Sequence, residues 1–202
     1  MVCCNTVTEA HRRQKHPELV RSQLLAVVRT LLVEQGPHAV TLDAVSARAG
    51  VTKGGLQHHF RSKQALLDAL NDQLFEEFQH DYAQALASEE EGVPGRHARA
   101  YIRTAFDGFR TGNRVEAQRA IGLLALTLPA ARERWSAEMH QALAHDGDDP
   151  RMADRLLACR MAADGYWFSQ MLDVYPLDAA RSARVLQLLL DLCQPPQGEP
   201  AP

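Results

Sequence analysis

The chain lacks most of the marks of enzymes and membrane proteins. No apolar run approaches the ~20 residues that span a bilayer, so no membrane partner is expected. The opening MVCCNTVTEAHRRQK has no apolar stretch long enough for a signal peptide, and the expected location is cytoplasmic. There is no G-x-S-x-G, no P-loop, no pair of histidines with a carboxylate and no Gly-rich turn after a strand. No enzyme and no cofactor is read from it. Cysteines are few: Cys3, Cys4, Cys159 and Cys193, with no CxxC pair. In a reducing cytosol they read as free thiols, Cys159 and Cys193 as small core residues, with a redox switch as the alternative. The acidic turn Asp146-Gly147-Asp148-Asp149-Pro150 is too short for an EF-hand loop and lacks its closing glutamate. His58 and His59 are neighbours, and neighbours on a helix point about 100° apart. No cysteine or carboxylate stands four residues on to help, so no metal is expected.

What is present is a large helical core and an uneven charge. Of 202 residues, 46% are hydrophobic, enough to exclude disorder of the whole chain. Residues 1–63 hold nine Lys and Arg against four Asp and Glu, a net +5. The whole chain carries −3, so the remainder carries −8. A basic end on an acidic body suits a module that sets one end on a polyanion.

Residues Thr41–Lys63 read TLDAVSARAGVTKGGLQHHFRSK, two short helices and a tight turn. Thr41 is an N-cap, since its hydroxyl can accept a bond from a free amide of the first turn. Leu42, Val45 and Ala49 share one face. Gly50 stands where a helix ends most easily, because glycine reaches positive φ without a Cβ clash. Val51 plugs the turn, and Thr52 caps a second helix whose Leu56 and Phe60 turn back to the first. Lys53, Gln57, His58 and His59 are left facing outward. This is a helix-turn-helix. Gly54 and Gly55 each cost about 1 kcal/mol relative to alanine in a helix, a cost that close approach to another molecule would offset. Ser62 caps a further helix, and Lys63 beside it opposes the helix dipole. The reason for that cation is expected outside the helix, at a phosphate.

The run Arg48-Ala49-Gly50-Val51-Thr52-Lys53-Gly54-Gly55-Leu56, then His59-Phe60 and Ser62-Lys63, resembles the N-terminal domain of the tetracycline-repressor (TetR) family. The likeness extends through Leu24–Gly36 and Ala65–Leu70, about a third of the chain. It implies an all-α fold: a three-helix head, a larger C-terminal domain for ligand binding and dimerisation, and about nine helices in all.

In order, residues 1–15 read as a flexible basic arm, with His11, Arg12, Arg13, Lys15 and His16. It either reaches along DNA or is a solvated tail. Helix 1 runs from Pro17 to about Gln35, and residues 16–61 form the head. The domain at 62–193 opens with a helix from Ser62 to about Ala87, a rod of roughly 38 Å. Helices follow at about Arg96–Arg110, ended by Gly112-Asn113, then Arg114–Leu128, Pro129–Ala144, Met152–Val174 and Asp178–Cys193. The last two are apolar on more than one face and call for a second copy of the chain. Residues 194–202 read as a disordered tail.

The resemblance implies a homodimer joined through the last two helices, about 151–193, on a palindromic duplex. Thr41 and Thr52 would touch phosphates. Lys53, Gly54 and Gly55 would lie against the groove, and His59 and Lys63 on phosphates. Gln57 replaces a tyrosine common in the family; glutamine can read adenine and so alter sequence preference, and a lost aromatic–backbone contact is the competing consequence. His58 is variable. A pocket in the C-terminal domain would take a small-molecule inducer and release DNA. Its candidates are Phe78, Tyr82, Tyr101, Phe106, Phe109, Trp135, Met139, Asp164, Trp167, Phe168 and Met171. Asp164 sits among apolar residues in MAADGYWF. It is expected either to pair with Arg160, four residues earlier, or to line the pocket and favour a cation. The competing readings are a redox-responsive regulator using Cys159 or Cys193 and an architectural DNA binder without a ligand.

Overall fold

The computed structural model describes residues 7–109 and 112–195, with side chains for 17–109 and 114–195. The described residues form nine helices and no strand: α1 (Val7–Gln35), α2 (Leu42–Ala49), α3 (Lys53–His59), α4 (Lys63–Ala87), α5 (Arg96–Asp107), α6 (Gly112–Thr127), α7 (Pro129–Leu143), α8 (Pro150–Leu172) and α9 (Ala179–Leu192). None of them is long and apolar enough to cross a membrane.

Some boundaries differ from the sequence reading. α1 starts at Val7 and carries Pro17 inside it, where a start at Pro17 and an arm over 1–15 are expected. Proline lacks one amide, so one rung of the helix is missing while the turns on either side continue. Residues 1–6, and the side chains of His11, Arg12, Arg13, Lys15 and His16, lie outside the described residues. So do residues 196–202 of the tail. Gly112 and Asn113 open α6 instead of separating two helices. α8 begins at Pro150, whose fixed φ suits the first helical position, and Asp149 caps it by accepting from the Arg151 amide at 3.1 Å.

The chain divides into two compact units between Gln73 and Leu74, inside α4. The sequence reading divides it at 61/62. The first turns of α4 fall in the first unit because Leu66, Leu67 and Leu70 are fully buried there, alongside Leu24, Val28 and Leu32 of α1, Val45 of α2, and Leu56 and Phe60. Each such side chain contributes about 1.5–3 kcal/mol when removed from water.

In the second unit α5, α8 and α9 pack together. Their shared core is Ala98, Ile102 and Phe106 of α5, Met152, Leu156, Cys159 and Ala163 of α8, and Leu189, Leu190 and Cys193 at the end of α9. The spacing of three and four residues puts each set on one helical face. α6 packs on α7 and α8. Gly122 makes the second contact possible, since a Cβ there would lie 2.6 Å from the Met171 sulfur.

Two ion groups in this unit have buried members; in the first, the side chains of Glu89 and Arg99 are buried and that of Arg103 is partly exposed. Glu89 accepts from Arg99 at 2.6 Å and from Arg103 at 2.9 Å. Arg160 donates to Asp146 at 2.8 Å, with side chains only 5% and 2% exposed. Asp146 therefore belongs to the core, which its place in an acidic turn does not reveal. Conversely, Leu157, Met161, Phe168 and Leu172 of α8 and Leu188 and Leu192 of α9 are exposed.

Candidate nucleic-acid interface and ligand cavity

The helix-turn-helix is built from short-range bonds. Thr41 Oγ1 accepts from the Ala44 amide at 3.1 Å. Gly50, at φ 68°, closes α2 in the left-handed region. Thr52 Oγ1 accepts from the Gly55 amide at 3.0 Å, and Ser62 Oγ from the Ala65 amide at 3.1 Å. Leu56 and Phe60 anchor α3 from below, and the guanidinium of Arg21 lies 4.5 Å from the Phe60 ring centroid. Arg48 and Glu34 join α2 to α1 through two bonds of 2.8 and 3.1 Å.

The outer face of α3 carries Lys53, Gly54, Gln57 and His58, all exposed, while His59 is half-buried beside Phe60. The two glycines differ. A Cβ on Gly55 would sit 3.1 Å from Thr52 Oγ1, the atom that caps the helix. A Cβ on Gly54 would meet nothing within 4 Å, so nothing among the described residues requires a glycine there.

Two lysines have partners that sequence reasoning missed. Lys53 pairs with Asp43 of α2 at 2.8 Å, both exposed. Lys63 is half-buried and donates to the Pro37 carbonyl at 2.5 Å. The sequence reading places the reason for its charge outside the helix, at a phosphate. A carbonyl in the α1–α2 connection already satisfies one of its three donors.

The second unit holds a cavity of about 250 Å³. Its wall comes from Phe78 of α4, Tyr101, Thr104 and Ala105 of α5, Gln118, Ile121 and Ala125 of α6, Trp135 and Met139 of α7, and Asp164, Trp167 and Phe168 of α8. Seven of the eleven expected pocket residues are here. The other four are not. Tyr82 bonds to His97 Nδ1 at 2.8 Å, Phe106 stacks on Tyr166 at 3.8 Å within the core, Phe109 meets the edge of Tyr166, and Met171 packs over Gly122. Thr104, Ala105, Gln118, Ile121 and Ala125 were missed. A helical-face signal was available, since 101, 104 and 105 on α5, and 118, 121 and 125 on α6, each line up at helical spacing.

The cavity is mostly aromatic. Phe78 and Trp135 meet edge to face at 4.9 Å, and Trp167 and Phe168 at 5.1 Å. Gln118 orients Trp167 by accepting from its Nε1 at 2.5 Å. Asp164 accepts a short hydrogen bond from the Tyr101 hydroxyl. The expected Asp164–Arg160 pair is not made. Arg160 is taken by Asp146, which the fold brings alongside from the α7–α8 connection. Burial pushes the Asp164 carboxyl up, against the opposing effects of the Tyr101 bond and the Arg160 charge. Burial, with the Asp164 charge, holds the Tyr101 hydroxyl well above its ordinary value.

Cys159 and Cys193 are both free and buried, close enough for each to act on the other. Burial pushes the Cys193 thiol up to about 12. That opposes the thiolate that cysteine redox chemistry requires.

Comparison with known proteins agrees with this architecture. A family model described as "Bacterial regulatory proteins, tetR family" matches residues 24–70. Another, "Tetracyclin repressor-like, C-terminal domain", matches residues 95–194. The HTH-type transcriptional repressor Rv3405c of Mycobacterium tuberculosis is 29% identical over 143 residues, covering 69% of this chain and 74% of that protein. The HTH-type transcriptional regulator BetI of Ectopseudomonas mendocina is 25% identical over 182 residues, covering 85% and 92%. The crystal structure of SCO4454, a TetR-family transcriptional regulator from Streptomyces coelicolor, superposes with a TM-score of 0.63 at 23% identity, covering 94% of this chain and 96% of that one. The helix-turn-helix, the all-helical second unit and these matches together place the chain in the TetR family of DNA-binding transcriptional regulators.

Proposed function

We propose that this regulator is a ligand-responsive repressor that works in the cytoplasm as a dimer on a palindromic operator. The observation that carries the ligand response is the aromatic cavity in a unit separate from the helix-turn-helix. An architectural DNA binder has no use for such a space.

α3 is the recognition helix. Its exposed Lys53, Gln57 and His58 lie against base edges and phosphates, and Gly54 lets the backbone come close. Gln57 carries the groups that read adenine N6 and N7. The capping threonines, Thr41 and Thr52, and the Gly55 amide sit at helix N-termini, where phosphate oxygens are favoured. Lys63, with donors left after its bond to Pro37, and His59 reach the flanking phosphates. Lys53 exchanges Asp43 for a phosphate, a cheap exchange because an exposed ion pair is worth ~0–1 kcal/mol.

The exposed apolar residues of α8 recur at positions 157, 161, 168 and 172, one helical stripe, and those of α9 at 188 and 192. A second copy covering this stripe makes a two-fold dimer. Two-fold symmetry puts two recognition helices in successive major grooves, about 34 Å apart. An inducer releases DNA if it binds more tightly to a conformation whose head spacing does not fit the operator. α4 is the coupler, since it contains both Lys63 and Phe78.

Selection of bound duplexes from a random pool at near-physiological salt tests this reading. The expected product is a palindrome with half-sites one helical turn apart. Salt-sensitive binding without sequence preference would overturn it in favour of an architectural role.

A further inference from the structure

We propose that the cavity of the second unit takes a compact organic cation with an apolar or aromatic body, its charge seated at Asp164. The proposal rests on the ligand-responsive reading of this cavity and names the chemistry of the ligand.

Asp164 is the one ionisable carboxylate in a wall that is otherwise aromatic, aliphatic or neutral polar. It makes no ion pair with any described residue. Its hydrogen-bond donor is the neutral hydroxyl of Tyr101. Among the described residues the cation that acts on Asp164 is Arg160, whose guanidinium carbon lies 5.6 Å from the Tyr101 ring centroid. Its charge is already matched by Asp146 in a pair that is almost wholly buried. Arg160 acts on Asp164 only at a distance, its own ion pair being with Asp146, so Asp164 has no ion-pair partner of its own among the described residues. A carboxylate withdrawn from water is costly until a counter-charge reaches it. An ammonium group supplies one, and an anion is repelled.

The aromatic walls act in the same direction. Phe78, Trp135, Trp167 and Phe168 line the same cavity as the carboxylate, and aromatic ring faces attract cations. A volume of about 250 Å³ is small among ligand sites, which commonly span ~300–1,000 Å³, so the ligand is compact.

The chain has two tryptophans, Trp135 and Trp167, and both line the cavity. Intrinsic fluorescence of the full chain therefore reports this site. The probes are phenyltrimethylammonium, its neutral isostere tert-butylbenzene, and the anion phenylacetate. The cation is expected to bind about tenfold or more tightly than the isostere, and phenylacetate most weakly. Asp164→Asn is expected to remove the cation's advantage and leave tert-butylbenzene unchanged. Asp164→Glu, which retains the charge, is expected to keep the preference. Equal binding of cation and isostere to the unaltered protein overturns the proposal without any variant. So does a preference that survives in a folded Asp164→Asn protein, or no response to the cation.

Release of the selected duplex is followed separately by anisotropy. Release by tert-butylbenzene with no preference for the cation sinks the cation assignment and spares the ligand-responsive reading. Tight cation binding at Asp164 with unchanged duplex affinity supports the cation site and removes the inducer role.

Discussion

Replacing Asp146 with alanine strands the Arg160 guanidinium in the core. The two side chains are 2% and 5% exposed and meet at 2.8 and 3.3 Å. Removing one member of a buried pair costs about 3–5 kcal/mol, chiefly the penalty of an uncompensated buried charge. Arg160 keeps one bond, to the Ala142 carbonyl at 3.3 Å, which places the loss toward the lower end. A typical whole-protein stability is only ~5–15 kcal/mol. For a chain of this size each kcal/mol shifts the melting temperature by about 2–4 °C, so Asp146→Ala is expected to melt roughly 10 °C lower. Exchanging both residues, Asp146→Ala with Arg160→Met, removes charge and counter-charge together and is expected to recover more than half of that shift. Asp164→Ala breaks a half-buried bond to a neutral phenol and is expected to cost only about 1 kcal/mol. Thermal melts by circular dichroism, all at one protein concentration because association adds to apparent stability, give the comparison. An Asp146→Ala protein that melts within a degree of the parent would refute the reasoning. So would a larger loss from Asp164→Ala, which would mean that Asp164 is the partner of Arg160.

Gly54→Ala tests the proposed contact of α3 with DNA. No atom lies within 4 Å of the added Cβ, so stability is expected to rise by up to about 1 kcal/mol while affinity for the selected duplex falls about tenfold, and unchanged affinity in a titration would remove Gly54 from the interface. Met161→Glu places a charge in the exposed stripe of α8, where Met161 is 63% exposed; sedimentation is expected to show a monomer with unchanged helix content, and a persisting dimer would move the interface elsewhere. His97 is held below the ordinary histidine value, first by burial and then by the charge of the stacked His145 ring 4.1 Å away, with Arg96 and Arg160 adding to this and Asp146 opposing it. The unfolded chain thus binds the proton more readily, so this histidine's contribution to stability is full above about pH 6.5 and falls as the pH drops below it; urea melts across that range are expected to lose less stability in His97→Gln than in the parent, and parallel curves would show that His97 does not titrate on unfolding.

The helix-turn-helix was legible because its signals are local. Thr41, Thr52 and Ser62 each cap an amide three residues away, and Gly50 ends its helix by its own φ. Helical spacing is local in the same way: Ile102 and Phe106 of α5, and Leu156, Cys159 and Ala163 of α8, each share one face, and both faces are buried. These choices depend on bond geometry within a few residues, which any stretch of chain carries with it. Tertiary structure alone decided the partners. Arg160 had a carboxylate four residues away and took one fourteen residues away. Lys63 found a carbonyl twenty-six residues back. Phe106 turned to Tyr166 beside the core and Tyr82 to the half-buried His97, while Gln118 and Thr104 turned to the cavity. Spacing tells which side chains share a face of a helix. What that face meets depends on how the helix is rotated against four others, and that rotation is settled by the packing of all their side chains at once.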